Sequence, residues 1–142
     1  KDGKATVVID EISKNVVSKR PGQTSTVIWA TDQLVPDMGP LGDISAGVEH
    51  TTVENGSVFR IGRFEPGVAA RIHRTASIDY AIVLSGAIDM ELDDGEVAHL
   101  KAGDMVVQRG TVHNWINHGP EDCMLAFILI HAKLPDGLDP TG

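Results

Sequence analysis

The chain has 142 residues, 42% of them hydrophobic and 23% charged, with a formal net charge of -8. That length and composition suit one soluble domain able to bury a real core. The acidic balance argues against a nucleic-acid partner, and no apolar run is long enough to span a membrane. Cys123 is the single cysteine, so no internal disulfide can form. With no leader segment evident, a reducing cytoplasm is the expected compartment. Cys123 itself belongs to an apolar run and is expected to be buried and inert.

In chain order, residues 1–31 read as three short strands rich in Val, Ile and Thr: Ala5 to Ile9, Asn15 to Ser18 and Ser25 to Thr31. Leading strands of this kind often pair with a second copy, which also covers an open edge, so a homodimer is expected; the alternative is that they simply extend the chain's own sheet. Residues 32–56 show no periodicity and hold six Gly or Pro together with Leu34, Val35, Met38, Leu41 and Ile44. So long an irregular segment with so many apolar groups reads as a candidate lid over a binding pocket; packing on the outside of a sheet is the alternative.

From Ser57 the pattern becomes regular. Val58, Arg60, Gly62 and Phe64 alternate against Phe59, Ile61 and Arg63. Further strands are expected over Ala69 to Arg74, Tyr80 to Leu84, Ala87 to Leu92, Val97 to Lys101, Met105 to Val107, Val112 to Asn117 and Cys123 to Ala132. Asp93-Asp94-Gly95 supplies a hairpin turn. Evenly spaced short strands with Gly turns predict an all-β sandwich or barrel closed as a double-sheet jelly roll over residues 57–132. Residues 133–142 are expected to be a frayed tail.

Two polar clusters stand out in this apolar frame. His73 and Thr75 share a strand face, and the chain reversal can return Asp79 beside them. His113 and Trp115 alternate along a later strand. Two imidazoles and a carboxylate converging in a barrel suit Fe, Mn, Ni, Cu or Zn better than Ca or Mg. His73, Asp79 and His113 are thus the candidate catalytic groups and the candidate ligands of a divalent transition metal. A metal-free pocket in which Asp79 orients His73 is the alternative. Arg71 precedes His73 by two and is a candidate for a substrate carboxylate; Trp115 can wall the pocket. Tyr80 should point away, Gln108 should brace a turn, and His50 could reach the pocket from the loop. His99, His118 and His131 read as surface or edge groups.

Gly67, His73, Thr75, Asp79 and Gly86 follow the spacing of the first cupin motif. Gly103-Asp104, Gln108, Gly110, His113 and Asn117 follow the second. The chain therefore resembles a small single-domain cupin, and the resemblance implies a double-stranded β-helix barrel. It departs from the family pattern at Thr75, where a second His is usual, at Asp79 for Glu, and at Gln108 for Pro. Thr75 is then a candidate substrate contact. Three functions follow from the resemblance and the residues together. One is a metal-dependent enzyme on a small organic acid or ketone. Another is a metal-free dehydratase or decarboxylase using His73 and His113 as acid–base groups. The third is a non-catalytic metabolite-binding barrel. No organic cofactor is indicated.

Overall fold

The computed structural model describes residues 2–141. Among the described residues, nine strands form two antiparallel sheets: β1 (Val16–Arg20), β2 (Gln23–Thr31), β3 (Ser57–Phe64), β4 (Ser77–Ser85), β5 (Ala87–Glu91), β6 (Val97–Lys101), β7 (Met105–Arg109), β8 (Asn114–Ile116) and β9 (Cys123–His131). The larger sheet runs β1-β2-β3-β9-β4-β7 and the smaller runs β6-β5-β8. Two short 3-10 turns, Ser45–Gly47 and Asp93–Gly95, are the helical elements among the described residues. The jelly-roll expectation holds.

Alternation decides which side chains meet between the sheets. Phe64, Ala81, Val83, Cys123 and Leu125 from the large sheet pack against Ile88, Met90 and Trp115 from the small one. The opposite parity puts an apolar row on the outer surface: Trp29, Phe59, Ile128, Tyr80 and Val107 lie side by side across five strands. Tyr80 is half-exposed, pointing away from the barrel as expected. The Asp93–Gly95 turn places Asp94 at φ 55 and Gly95 at φ 78. Two successive positive φ values give the twist that joins β5 to β6.

Three expectations need correction. Residues 5–9 form no strand; Val7, Val8 and Ile9 stay exposed, because no neighbouring strand offers them the packing that makes β-branched residues favourable. Ala69 to Arg74 is not a ladder strand either. Its amides find other acceptors: Ala69 donates to the Pro21 carbonyl at 3.1 Å and Arg71 to Asn114 Oδ1 at 2.9 Å. The tail does not fray over its described length. Thr141 and Arg74 exchange two backbone hydrogen bonds of 3.0 Å, which holds the chain end against the barrel; Gly142 lies outside the described residues.

The leading strands β1 and β2 extend the chain's own sheet through β3. The 32–56 segment divides in two. Ile44, Val48 and Val53 pack on a second core cluster of Val27, Ala30 and Val58, whereas Leu34, Val35, Met38 and Leu41 are exposed. Arg60 fastens the seated half by donating to the carbonyls of His50 (3.1 Å) and Thr51 (2.6 Å).

Leu125 is fully buried between the sheets. Leu125→Ala is expected to lower unfolding free energy by about 2–5 kcal/mol, read from urea denaturation, because the rigid sheets cannot close over the lost volume.

Candidate functional site

His73 sits in the extended segment before β4 and His113 in the segment entering β8. The two residues exchange backbone hydrogen bonds of 3.1 and 3.0 Å, an isolated antiparallel bridge. Directly paired residues project their side chains together. The two imidazole rings accordingly lie 4.2 Å apart between centroids, and both are buried.

Each ring is fixed by one further contact. His73 Nδ1 lies 2.9 Å from the Arg71 carbonyl, and His113 Nδ1 lies 2.9 Å from the Thr111 carbonyl. A carbonyl only accepts, so both Nδ1 atoms carry the proton and both Nε2 atoms present a bare lone pair. Backbone carbonyls, rather than Asp79, set the tautomer.

Asp79 is buried on β4, between Gln108 of β7 and Leu129 of β9. Ser77 Oγ donates to Asp79 Oδ1 at 2.5 Å, and Thr75 Oγ1 lies 2.8 Å from Ser77 Oγ. The result is a chain of hydroxyls from the carboxyl to Thr75. Trp115 closes one wall, 5.9 Å from the His113 ring and edge-on to it. Gln108 braces its turn as expected, donating to Thr111 Oγ1 at 3.3 Å. Asn117 is structural too: it donates to the carbonyls of Phe64 and Glu121, each at 2.9 Å.

His73, Thr75, Asp79, His113, Trp115 and Arg71 all line one small inner cavity of about 60 Å³. It lies beside a larger open cavity of about 860 Å³. Every candidate site residue therefore faces one space. His50 is exposed and lines only the outer cavity. His99 and His118 contact Asp89 on the surface, and His131 accepts from the Asn55 amide. Cys123 is buried, and desolvation pushes its thiol up to about 11, which keeps it unreactive at neutral pH.

Burial dominates the electrostatics. It pushes His73 down to about 4, helped by His113 and by the charges of Arg71 and Arg20 and opposed by the Arg71 carbonyl. It lowers His113 in the same way. It raises Asp79, against the Ser77 hydrogen bond and the charge of Arg60. The two imidazoles are therefore neutral at pH 7.

A metal can be tested against these donors. The two bare Nε2 atoms have the right chemistry. The third ligand fails: among the described residues, no three His, Cys, Asp or Glu side chains gather closely enough to hold an ion. Asp79 is instead engaged by Ser77. Among the described residues, the two-His-one-carboxylate site expected from His73, Asp79 and His113 is thus not assembled, although all three line the inner cavity.

Two charged residues that line the inner cavity, Arg60 and Arg20, were not among the candidates. Arg60 projects inward from β3, and its signal was its place on the face of Val58, Gly62 and Phe64. Arg20 follows an irregularity in the β1–β2 register between Val17 and Arg20, which sequence does not reveal.

His73 also links site and stability. Between about 6.5 and about 4 the unfolded chain binds a proton that folded His73 refuses, so its contribution falls as pH falls through that window. Asp79, held above its ordinary value, acts in the opposite sense. The wild type is expected to lose more stability than His73→Asn between pH 7 and pH 4 in chemical denaturation.

Comparison with known proteins agrees with this architecture. A Klebsiella pneumoniae protein with a double-stranded β-helix domain superposes with a TM-score of 0.60 at 20% identity, covering 96% of each chain. The polyketide cyclase RemF from Streptomyces resistomycificus also gives 0.60, at 15% identity, over 91% of this chain and 83% of its own. Such identities speak for the fold alone. The cupin-domain-containing oxidoreductase fogC of Aspergillus ruber is 38% identical over 96 residues, 66% of this chain and 47% of that protein. Phomopsin biosynthesis cluster protein D of Diaporthe leptostromiformis is 48% identical over 79 residues, 55% of this chain and 42% of that protein. The chain spans about half the length, or somewhat less, of these curated relatives. The family model for the cupin domain matches residues 60–130, half of the chain, with both His motifs inside the match. The chain belongs to the cupin domain family.

Proposed function

We propose that this cupin is an enzyme that moves protons on a small organic molecule, in a dehydration or decarboxylation of the lyase class. The observation that carries the reading is the His73–His113 pair, two buried neutral imidazoles with bare Nε2 atoms lining one cavity. A base poised in its unprotonated form next to substrate is what proton abstraction requires. In a dehydration, one Nε2 would take the proton from the carbon beside a carbonyl. The neighbouring carbon would release its hydroxyl, and the same proton, passed on by the imidazole, would leave with it as water. Thr75, joined through Ser77 to Asp79, stands where a hydroxyl leaving group can be held.

Oxidoreduction is the second reading, supported by the name of the Aspergillus ruber relative and by the same lone-pair pair, which would be the protein's donors to a metal. The two readings part in heavy water. Incubated with a panel of β-hydroxy and β-keto acids in deuterium oxide, the protein is expected to introduce deuterium beside the carbonyl, unaffected by chelator. His113→Ala should lower that rate by roughly a hundredfold or more while circular dichroism stays native. Exchange at the wild-type rate in the variant would refute the assignment, and exchange lost to chelator alone would favour the metal reading.

The homodimer is likewise our proposal. It is supported by the outer row of Trp29, Phe59, Ile128, Tyr80 and Val107, with Met105 one pleat on and 75% exposed. A second copy would cover this surface and the open β7 edge. Light scattering is expected to give twice the 15.2 kDa chain mass, and Val107→Lys to halve it. A monomer in the wild type would end this idea.

A further inference from the structure

Positive charge is concentrated in the cavities of an otherwise acidic protein. The chain has 12 Lys and Arg against 20 Asp and Glu. Five of those 12, Lys19, Arg20, Arg60, Arg71 and Arg74, line the larger cavity, where Glu49 and Glu54 are the carboxylates. Arg20, Arg60 and Arg71 continue into the inner cavity, where Asp79 is the one carboxylate. These three guanidinium groups therefore stand at the junction of the two spaces, beside the imidazole pair.

Clustering buried like charges is unfavourable unless something compensates it. Lys19 and Arg74 are already engaged with the carbonyls of Glu49 and Gly110. Arg60 is held by two carbonyls, yet its Nε is buried without a partner, and so is that of Arg20. Among the described residues neither has an ion pair. Arg20 rests over the Phe64 ring, 5.9 Å from its centroid. Desolvation and repulsion from Arg71 lower both, Arg60 to about 10. Among the described residues, no carboxylate pairs with Arg20 or Arg60, which leaves these two guanidinium groups available to an anion.

We propose that the substrate is an organic carboxylate, gripped at the junction by Arg20 and Arg60, with its reacting carbon directed to the His73–His113 pair. This rests on the proton-transfer reading above and names its substrate class. The planar guanidinium fork matches a carboxylate in two parallel hydrogen bonds. The inner cavity suits a small reacting fragment rather than a whole substrate, since one water needs roughly 10–15 Å³ of such space. Val17, Val27 and Val48 in the outer cavity give the rest of the molecule an apolar wall. Arg20 and Arg60 are thus specificity residues, and an ester or amide of the same acid would be a poor ligand.

The test uses benzoate as probe, with neutral benzamide and inorganic phosphate as comparisons, read by calorimetry or by chemical-shift changes of the intact chain. Benzoate is expected to bind at least tenfold more tightly than benzamide. Arg20→Gln and Arg60→Gln should each weaken benzoate by about tenfold, the loss of one charge-assisted hydrogen bond. Arg60 also anchors the 49–52 stretch; if Arg60→Gln does not fold, Arg20→Gln on the edge strand decides the matter. Equal binding of benzoate and benzamide, no benzoate binding, or tighter binding of phosphate would overturn the carboxylate proposal. His113→Ala separates the two claims. Benzoate binding kept there while deuterium exchange survives would sink the catalytic reading alone, and turnover of neutral substrates without benzoate binding would sink this one alone.

Discussion

The two hydrogen bonds between the backbones of His73 and His113 are the contact on which the site depends. They tie the segment before β4 to the segment entering β8, and so join the large sheet to the small one at the cavity. Because paired residues share a face, the bridge also forces two imidazoles into ring contact inside the barrel. Two residues upstream of each His, a carbonyl then fixes its tautomer. The pairing thus sets the position of the two rings, and the two carbonyls set their orientation and tautomer.

Burial turns that geometry into chemistry. The jelly roll removes the pair from water, which discharges both imidazoles and lifts Asp79. The same burial would be costly for Arg20, Arg60 and Arg71, whose charges point into the same space. An acidic surface surrounding a cationic cavity also has a kinetic consequence. Small anions are repelled over most of the molecule and attracted at one mouth, which favours productive encounter there.

Much of this was legible in the residues. Period-two alternation from Ser57 onward marks the barrel strands, and two spaced Gly–His motifs mark the imidazoles and Asp79. What could not be read has physical causes. The 5–9 run has strand-forming side chains but no partner to pack them, and propensity alone does not report partners. The backbone carbonyls of Arg71 and Thr111 have no signature in side-chain identity, so the choice of tautomer was invisible. Arg60 was readable as a charge on an apolar face; Arg20 was not, because a register irregularity turned it. That Asp79 is engaged by Ser77 rather than gathered with the two His is a side-chain contact that motif spacing does not encode.

The most direct test of the account is the protonation of the two rings. Long-range nitrogen–proton NMR of the imidazoles at pH 7 should show Nδ1 protonated and Nε2 bare in both His73 and His113. A ring carrying its proton on Nε2, or a doubly protonated ring, would contradict the claim that the fold holds a pair of neutral bases facing the cavity.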